Sequence, residues 1–212
     1  ELRAAAEHAR RQGVLDRMIA TSDRTRGQID MNQRYPTPYQ RTLSELAQSL
    51  GIDQAWIYGL IRQESRFVED AHSGSGAQGL MQLLPGTAGY VARRIGLENY
   101  RPSRLTEVDV NLRLGASYLK LVYDDQGGEP LLASAAYNAG PRRLRQWRGT
   151  LTAPMEGAVF VETIPLNETR NYVQKVLVNT QIYAALAGRP GVTLKSLLGP
   201  VSTNMPADTD LP

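Results

Sequence analysis

The stretch DQAWIYGLIRQESR, residues 53–66, decides the fold. It predicts a helix that starts near Asp53 and runs to about Arg66. Ile57, Leu60 and Ile61 form its aliphatic stripe, with Trp56 at the edge. With Ile57 as origin and about 100° per residue, Leu60 falls at about 300°, Ile61 at about 40° and Glu64 at about 340°. Glu64 therefore points the way the core-facing residues point, while Arg62 lies off that stripe. A carboxyl group so placed is desolvated, which raises its pKa. It also lies in the last turn, where the helix dipole disfavours negative charge. Both effects favour a protonated acid near neutral pH, the state a general acid needs in order to protonate a leaving oxygen. The same letters also fit a glutamate at a helix end, bonded to the following loop.

Outward from this segment the pattern stays helical. Thr37-Pro38 reads as a helix start, with Gly51 as its stop. Residues 67–78 (FVEDAHSGSGAQ) are too rich in Gly and Ser for regular structure. A short helix is expected over 79–84, and another from about Thr87 to Ile95. Thr106-Glu107-Val108-Asp109 resembles a capping box and opens a helix to about Asp125. Pro130 and Pro141 start two more, separated from a last long helix by a loop over 149–158. Asn167 is placed as the cap of that last helix, which reaches Ala187. Val159–Ile164 is the single candidate strand. Residues 1–20 read as a helix, 21–36 as a connector and 189–212 as an extended tail with four prolines. The expected organisation is a helical segment and linker over 1–36, an all-α domain over 37–188, and the tail.

Composition narrows the chemistry. The chain has 212 residues, enough for one full domain with an appendage. Lys and Arg number 24 against 21 Asp and Glu, a net charge of +3 that is too small and too evenly spread to argue for nucleic acid. Cysteine is absent, so disulfides, thiolate zinc sites and a cysteine nucleophile are excluded. With only His8 and His72, a multi-histidine metal centre is not expected. No apolar run is long enough to span a membrane. The chain opens on Glu1 without a basic or apolar leader, as expected of a protein that has lost a signal or of the C-terminal part of a longer one.

Beyond Glu64 the polar letters cluster in places suited to a sugar. Gln78 and Gln82 follow the Gly-rich loop, and Tyr137-Asn138 stand among small residues in AAYNAG, 135–140. Small residues let a ligand approach the backbone, and Tyr with Asn gives an apolar wall bearing polar groups. Four segments in order, Glu64-Ser65-Arg66-Phe67, Gly79-Leu80-Met81-Gln82, Ala136-Tyr137-Asn138-Ala139-Gly140-Pro141 and Glu168-Thr169-Arg170-Asn171-Tyr172-Val173, resemble the four successive motifs of the soluble lytic transglycosylases. The resemblance covers about residues 37–187.

That resemblance implies an all-α, goose-type lysozyme-like catalytic domain, a periplasmic setting and peptidoglycan glycan strands as the partner. It implies neither cofactor nor metal, and it names no protein partner. Residue by residue, it implies that Glu64 is the sole catalytic acid and base. Ser73 would lie near the reacting sugar, Gln82 would bind it, and the Tyr137 hydroxyl would sit close to the scissile bond beside Asn138. Glu168 and Tyr172 would also contact substrate, with Met81, Leu84 and Glu162 as further candidates. Leu84 stands where some relatives carry methionine, a swap that keeps an apolar wall. The implied reaction is non-hydrolytic cleavage between N-acetylmuramic acid and N-acetylglucosamine, giving a 1,6-anhydro product. A hydrolysing muramidase on the same scaffold and a non-catalytic wall-binding module are the alternatives. Residues 1–35 resemble the helical segment that leads into the catalytic domain of the long members, whose larger part is an α-superhelix.

Other signals have plainer readings. Gly74-Ser75-Gly76-Ala77-Gln78-Gly79 matches the dinucleotide-binding letters but follows a helix where that motif needs a strand. Asp70, Glu162 and Glu168 are the carboxylates that could accompany Glu64. Glu168 also suits a first helical turn for dipole reasons alone, and Glu162 could simply pair with an arginine. Arg142, Arg143, Arg145 and Arg148 read as a solvated face, or as an attraction to acidic wall peptides. His72 reads as polar surface or as a subsite contact, and Trp56 and Trp147 as core or as sugar-stacking residues.

Overall fold

The computed structural model describes residues 1–204 and 210–212. It is helical, as the periodicity predicts. The N-terminal segment forms three helices, α1 (Leu2–Arg11), α2 (Leu15–Ser22) and α3 (Met31–Arg34). The single helix expected over 1–20 is broken at Gly13, whose φ of 72° is left-handed. The expected connector contains α3, capped by the Asp30 carboxylate, which accepts from the N–H groups of Asn32 and Gln33. Next come α4 (Gln40–Leu50) and α5 (Gln54–Glu64). Thr37-Pro38 does not begin α4, because Tyr39 takes a left-handed turn (φ 56°) ahead of it. Asp53 caps α5 by accepting from the Ala55 N–H at 2.7 Å, and Gly51 (φ 64°) closes α4 as expected.

The segment 79–84 is not helical. It is an irregular loop joined by short antiparallel bridges, His72 to Gln78 and Gln78 to Leu83. Gly79 (φ 78°) and Gln82 (φ 46°) break any helical run there. Then follow α6 (Pro85–Arg94), a 3-10 turn at Pro102–Arg104, α7 (Val108–Asp125), α8 (Pro130–Ala139) and α9 (Pro141–Arg148). The capping box ahead of α7 makes no side-chain cap bond.

The candidate strand 159–164 is helical instead, as α10 (Gly157–Thr163), and it follows a two-residue strand β1 (Met155–Glu156). Its β-branched letters reflect burial of Phe160 and Val161. The long helix α11 (Asn167–Leu186) begins without a side-chain cap from Asn167. The expected extended tail holds α12 (Leu194–Leu198) and β2 (Pro200–Val201). β2 pairs antiparallel with β1, Met155 opposite Val201. Residues 205–209 of that tail lie outside the described residues.

The centre of the molecule is α5 packed along α11. Their close approach depends on Gly59, where a Cβ would stand 2.8 Å from Thr180 Oγ1 and 2.9 Å from Thr180 N. Asn179 Nδ2 donates to the Gly59 carbonyl at 3.2 Å across the same seam. α8 packs against both α11 and α7. Trp56, Ile57, Leu60 and Ile61 of α5 are buried with Leu131, Leu132, Val173, Val176 and Leu177. Trp56 is thus a core residue, its indole N–H donating to Ser134 Oγ at 3.1 Å. Trp147 packs partly buried against the same core.

Candidate active site

Glu64 is the last residue of α5, and it lies in the wall of a cleft of about 360 Å³. The cleft is lined by residues of the 73–84 loop, α7, the end of α8, the start of α9 and the start of α11. Burial pushes the Glu64 carboxyl up to about 8. The Tyr172 hydroxyl works against this by donating to Glu64 Oε1 at 2.6 Å, and the nearby Glu168 carboxylate adds to the rise. The acid is therefore protonated near neutral pH, as the helical-wheel position of Glu64 anticipates.

The backbone around Glu64 is bent into unusual conformations. Arg66 (φ 50°), Phe67 (φ 67°) and Gln82 (φ 46°) are left-handed non-glycine residues. Such conformations persist where the surroundings over-determine them, and they cluster at functional sites. Here the constraint is visible. Ser65 Oγ accepts from the Phe67 N–H at 3.1 Å and donates to the Leu80 carbonyl at 2.8 Å, lacing the end of α5 to the 79–82 loop.

Most residues named from sequence gather in this cleft. Ser73, Gln82, Leu84, Tyr137, Asn138 and Glu168 all line it, and Tyr172 stands behind Glu64. Several of their polar atoms are already committed. Ser73 Oγ accepts from the Ala77 N–H at 2.9 Å and bonds Ser75 Oγ, so it shapes its own loop. Gln82 Nε2 donates to the Ala71 and Gly79 carbonyls at 3.0 and 2.8 Å, which leaves its Oε1 as the atom to meet a ligand. The Tyr137 hydroxyl donates its proton to the Met81 carbonyl at 2.8 Å, which leaves its oxygen as an acceptor only. Asn138 Oδ1 accepts from Thr169 Oγ1 at 2.7 Å, which leaves its amide hydrogens as donors.

Two expectations are corrected. The Met81 side chain is fully buried against Gly115 and is not among the cleft-lining residues, so its contribution is its backbone. Glu162 also lies away from the cleft. It borders a separate apolar groove with Val161, Leu177 and Leu198, where its Oε1 accepts from Gln174 Nε2 at 2.7 Å. The periodicity of α10, missed in sequence, turns Glu162 away. Of the three arginines expected on a solvated face beside Arg142, only Arg143 is both exposed and in the cleft wall. Arg145 pairs with the buried Asp125 at 2.6 Å. Arg148 is buried and donates to Gln126 Oε1 and to the carbonyls of Ser202 and Asn204.

Sequence reading missed Asn111, which sits buried on α7 and supports the whole loop. Its Oδ1 accepts from the Met81 N–H at 2.8 Å, and its Nδ2 donates to the carbonyls of Gln78 and Leu105 at 3.0 and 2.8 Å. Gly79 closes over it, since a Cβ there would stand 2.2 Å from Asn111 Nδ2. The signal was an asparagine between Val110 and Leu112, on the side of α7 that faces the core. Tyr118 was missed as well; it lines the cleft and its hydroxyl donates to the Pro212 carbonyl at 2.9 Å. Among the described residues no group of three His, Asp or Glu side chains is arranged to hold a metal ion.

Comparison with known proteins agrees with this geometry. The transglycosylase SLT domain model matches residues 41–155, and the soluble lytic transglycosylase helical domain model matches residues 163–191. The chain is 38% identical over 160 residues to the soluble lytic murein transglycosylase of Salmonella typhimurium, covering 75% of this chain and 25% of that protein. It thus spans about a quarter of that relative's length. Among solved structures it is similar to the inactive glutamate-to-glutamine mutant of the lytic transglycosylase Slt from Pseudomonas aeruginosa, with a TM-score of 0.83 and 41% identity over 90% of this chain and 31% of that one. The 70-kDa soluble lytic transglycosylase of Escherichia coli gives a TM-score of 0.84 and 31% identity over 92% of this chain and 32% of that one. With four motifs in order, one cleft that gathers them and a family model matching more than half its length, the chain belongs to the transglycosylase SLT domain family.

Proposed function

We propose that this domain is a peptidoglycan lytic transglycosylase that cleaves the β-1,4 bond between N-acetylmuramic acid and N-acetylglucosamine without consuming water. The supporting observation is the carboxyl group of Glu64, held protonated near neutrality in the wall of the cleft and bonded by Tyr172. In the first step the Glu64 carboxyl gives its proton to the glycosidic oxygen, and the bond from that oxygen to the anomeric carbon breaks. The N-acetyl oxygen of the same muramic residue shares the positive charge that develops at the anomeric carbon. In the second step the Glu64 carboxylate takes the proton of the C6 hydroxyl, and O6 closes on the anomeric carbon. The acid is restored and the product ends in a 1,6-anhydro ring. Intramolecular closure gains from proximity, worth about 7–11 kcal/mol of barrier in favourable cases.

The remaining residues have supporting roles in this reading. Gln82 Oε1 and the Asn138 amide orient the sugar, Tyr137 stands at the scissile bond as an acceptor, and Leu84 supplies an exposed apolar wall. Glu168 contacts substrate from the first turn of α11. A peptidoglycan substrate accords with a periplasmic setting. Residues 1–36 are the end of a longer α-superhelical region and 37–188 form the catalytic domain, against which α12 and β2 of the C-terminal segment pack. Mass spectrometry of fragments released from purified sacculi tests the reading. Fragments 18 Da lighter than hydrolysed ones (the mass of one water) are expected, and reducing muramic ends would establish a hydrolase instead. Glu64→Gln is expected to lower turnover by at least about 10³-fold while glycan binding persists.

A further inference from the structure

The cleft is lined by two carboxyl groups, those of Glu64 and Glu168, and by a single basic side chain among the described residues, Arg143. Arg143 is exposed, and no described residue forms an ion pair or hydrogen bond with its guanidinium. Its neighbours differ, since Arg145 and Arg148 are tied into the body of the protein by Asp125 and Gln126. Arg143 also stands one turn after Asn138–Gly140, which line the same cleft as the acid. A guanidinium in a concave wall recognises carboxylates by paired, charge-assisted hydrogen bonds.

A second observation bears on what occupies this part of the cleft. Pro212 lies in it, its carbonyl accepting from the Tyr118 hydroxyl at 2.9 Å, and the preceding Leu211 packs partly buried against the core. The cleft that holds Arg143 therefore admits peptide backbone beside Tyr118, whose hydroxyl serves it as a donor.

We infer that Arg143 is a specificity-determining residue that binds a carboxylate of the glycan strand's muramic substituent. This rests on the function proposed above. The carboxylate has two possible sources: the stem peptide, or the lactyl group that is free when the peptide has been removed. Glu168 repels a carboxylate and so leaves its own side of the cleft to the neutral N-acetyl sugars.

The test compares three glycan preparations: strands with peptides carrying free carboxylates, the same strands with those carboxylates amidated, and peptide-free strands. Dissociation constants are measured for Glu64→Gln protein with and without Arg143→Gln, and kcat and KM for the otherwise wild-type enzyme with Arg143→Gln and Arg143→Lys. Arg143→Gln is expected to weaken binding and raise KM by roughly three- to tenfold on a carboxylate-bearing strand, with little change in kcat. The penalty shrinks toward unity on the amidated strand, shrinks at high salt, and is partly restored by Arg143→Lys. A penalty on peptide-bearing strands alone identifies the stem peptide, and one on peptide-free strands alone identifies the lactyl group. No penalty, or an equal penalty on all three preparations, overturns the inference while leaving the transglycosylase reading intact. Failure of the Glu64→Gln protein to bind any strand overturns both.

Discussion

Two opposing influences meet at Glu64. Burial drives its carboxyl up to about 8, and the Tyr172 hydroxyl pulls it back by bonding the ionised form. The sign gives a pH profile. In the proposed reaction the first step needs the protonated acid, so kcat/KM is expected to fall as pH rises through about 8. Tyr172→Phe removes the downward influence, so the descending limb should move to higher pH, with a loss of rate of roughly tenfold because the acid is no longer oriented. A pH–rate series on both proteins measures each effect. The same shift affects folding. The unfolded chain ionises Glu64 near 4.5, the folded one near 8, so folding takes up a proton between those values and stability falls as pH rises through that window. Glu64→Gln removes the conflict. It should raise stability at pH 8 by about 1–3 kcal/mol, less than the ~5 kcal/mol of the full displacement because the carboxyl faces an open cleft. Near pH 4.5 and below it should have little effect. Urea denaturation at the two pH values checks this.

At the scale of elements, close backbone approaches carry the design. Gly59→Ala gains helix propensity of up to about 1 kcal/mol. It also drives a methyl group into the backbone and hydroxyl of Thr180 at 2.8–2.9 Å, and the overpacking wins. A net loss of about 1–3 kcal/mol is expected in thermal unfolding. Asn111→Ala leaves the Met81 N–H and two carbonyls of the loop without partners, for a loss of about 2–4 kcal/mol and a fall in activity that acid titration of Glu64 would not explain. These elements also show what a sequence reveals. The helices α5, α8 and α11 were legible because each carries a long apolar stripe with Pro, Asp or Gly at its ends. The motifs placed Glu64, Gln82, Tyr137 and Asn138 in one cleft, as the structure does. The loop at 79–82 was misread as a helix because its left-handed residues, Gln82 above all, are set by tertiary bonds from Asn111 and Ser65 that leave no local periodicity. The error at 159–164 arose the same way: β-branched letters over a short span do not distinguish a buried helix from a strand. With α10 unread, Glu162 could not be assigned its direction. The arginines at 145 and 148 looked solvated because the partners that bury them, such as Asp125 and Ser202, are remote in sequence.

Across the molecule, Arg62 joins the N-terminal helices to α5. Its guanidinium bonds Asp23 at 2.9 Å, the Arg34 carbonyl at 2.9 Å and Asn179 Oδ1 at 3.4 Å, and it lies 4.4 Å from the centre of the Tyr35 ring. Arg62→Met should cost about 1–3 kcal/mol and speed amide exchange over residues 15–34 more than over α8, as hydrogen-exchange mass spectrometry would register. α5 is thus held from one side by the N-terminal helices and from the other by α11. Glu64 stands at the end of the first of these two rods and Tyr172 on the second, and at Gly59 the missing side chain lets them lie flush. A methyl group added there, outside the cleft-lining residues, is expected to press on both rods at once and to loosen the hold of Tyr172 on the acid from a distance.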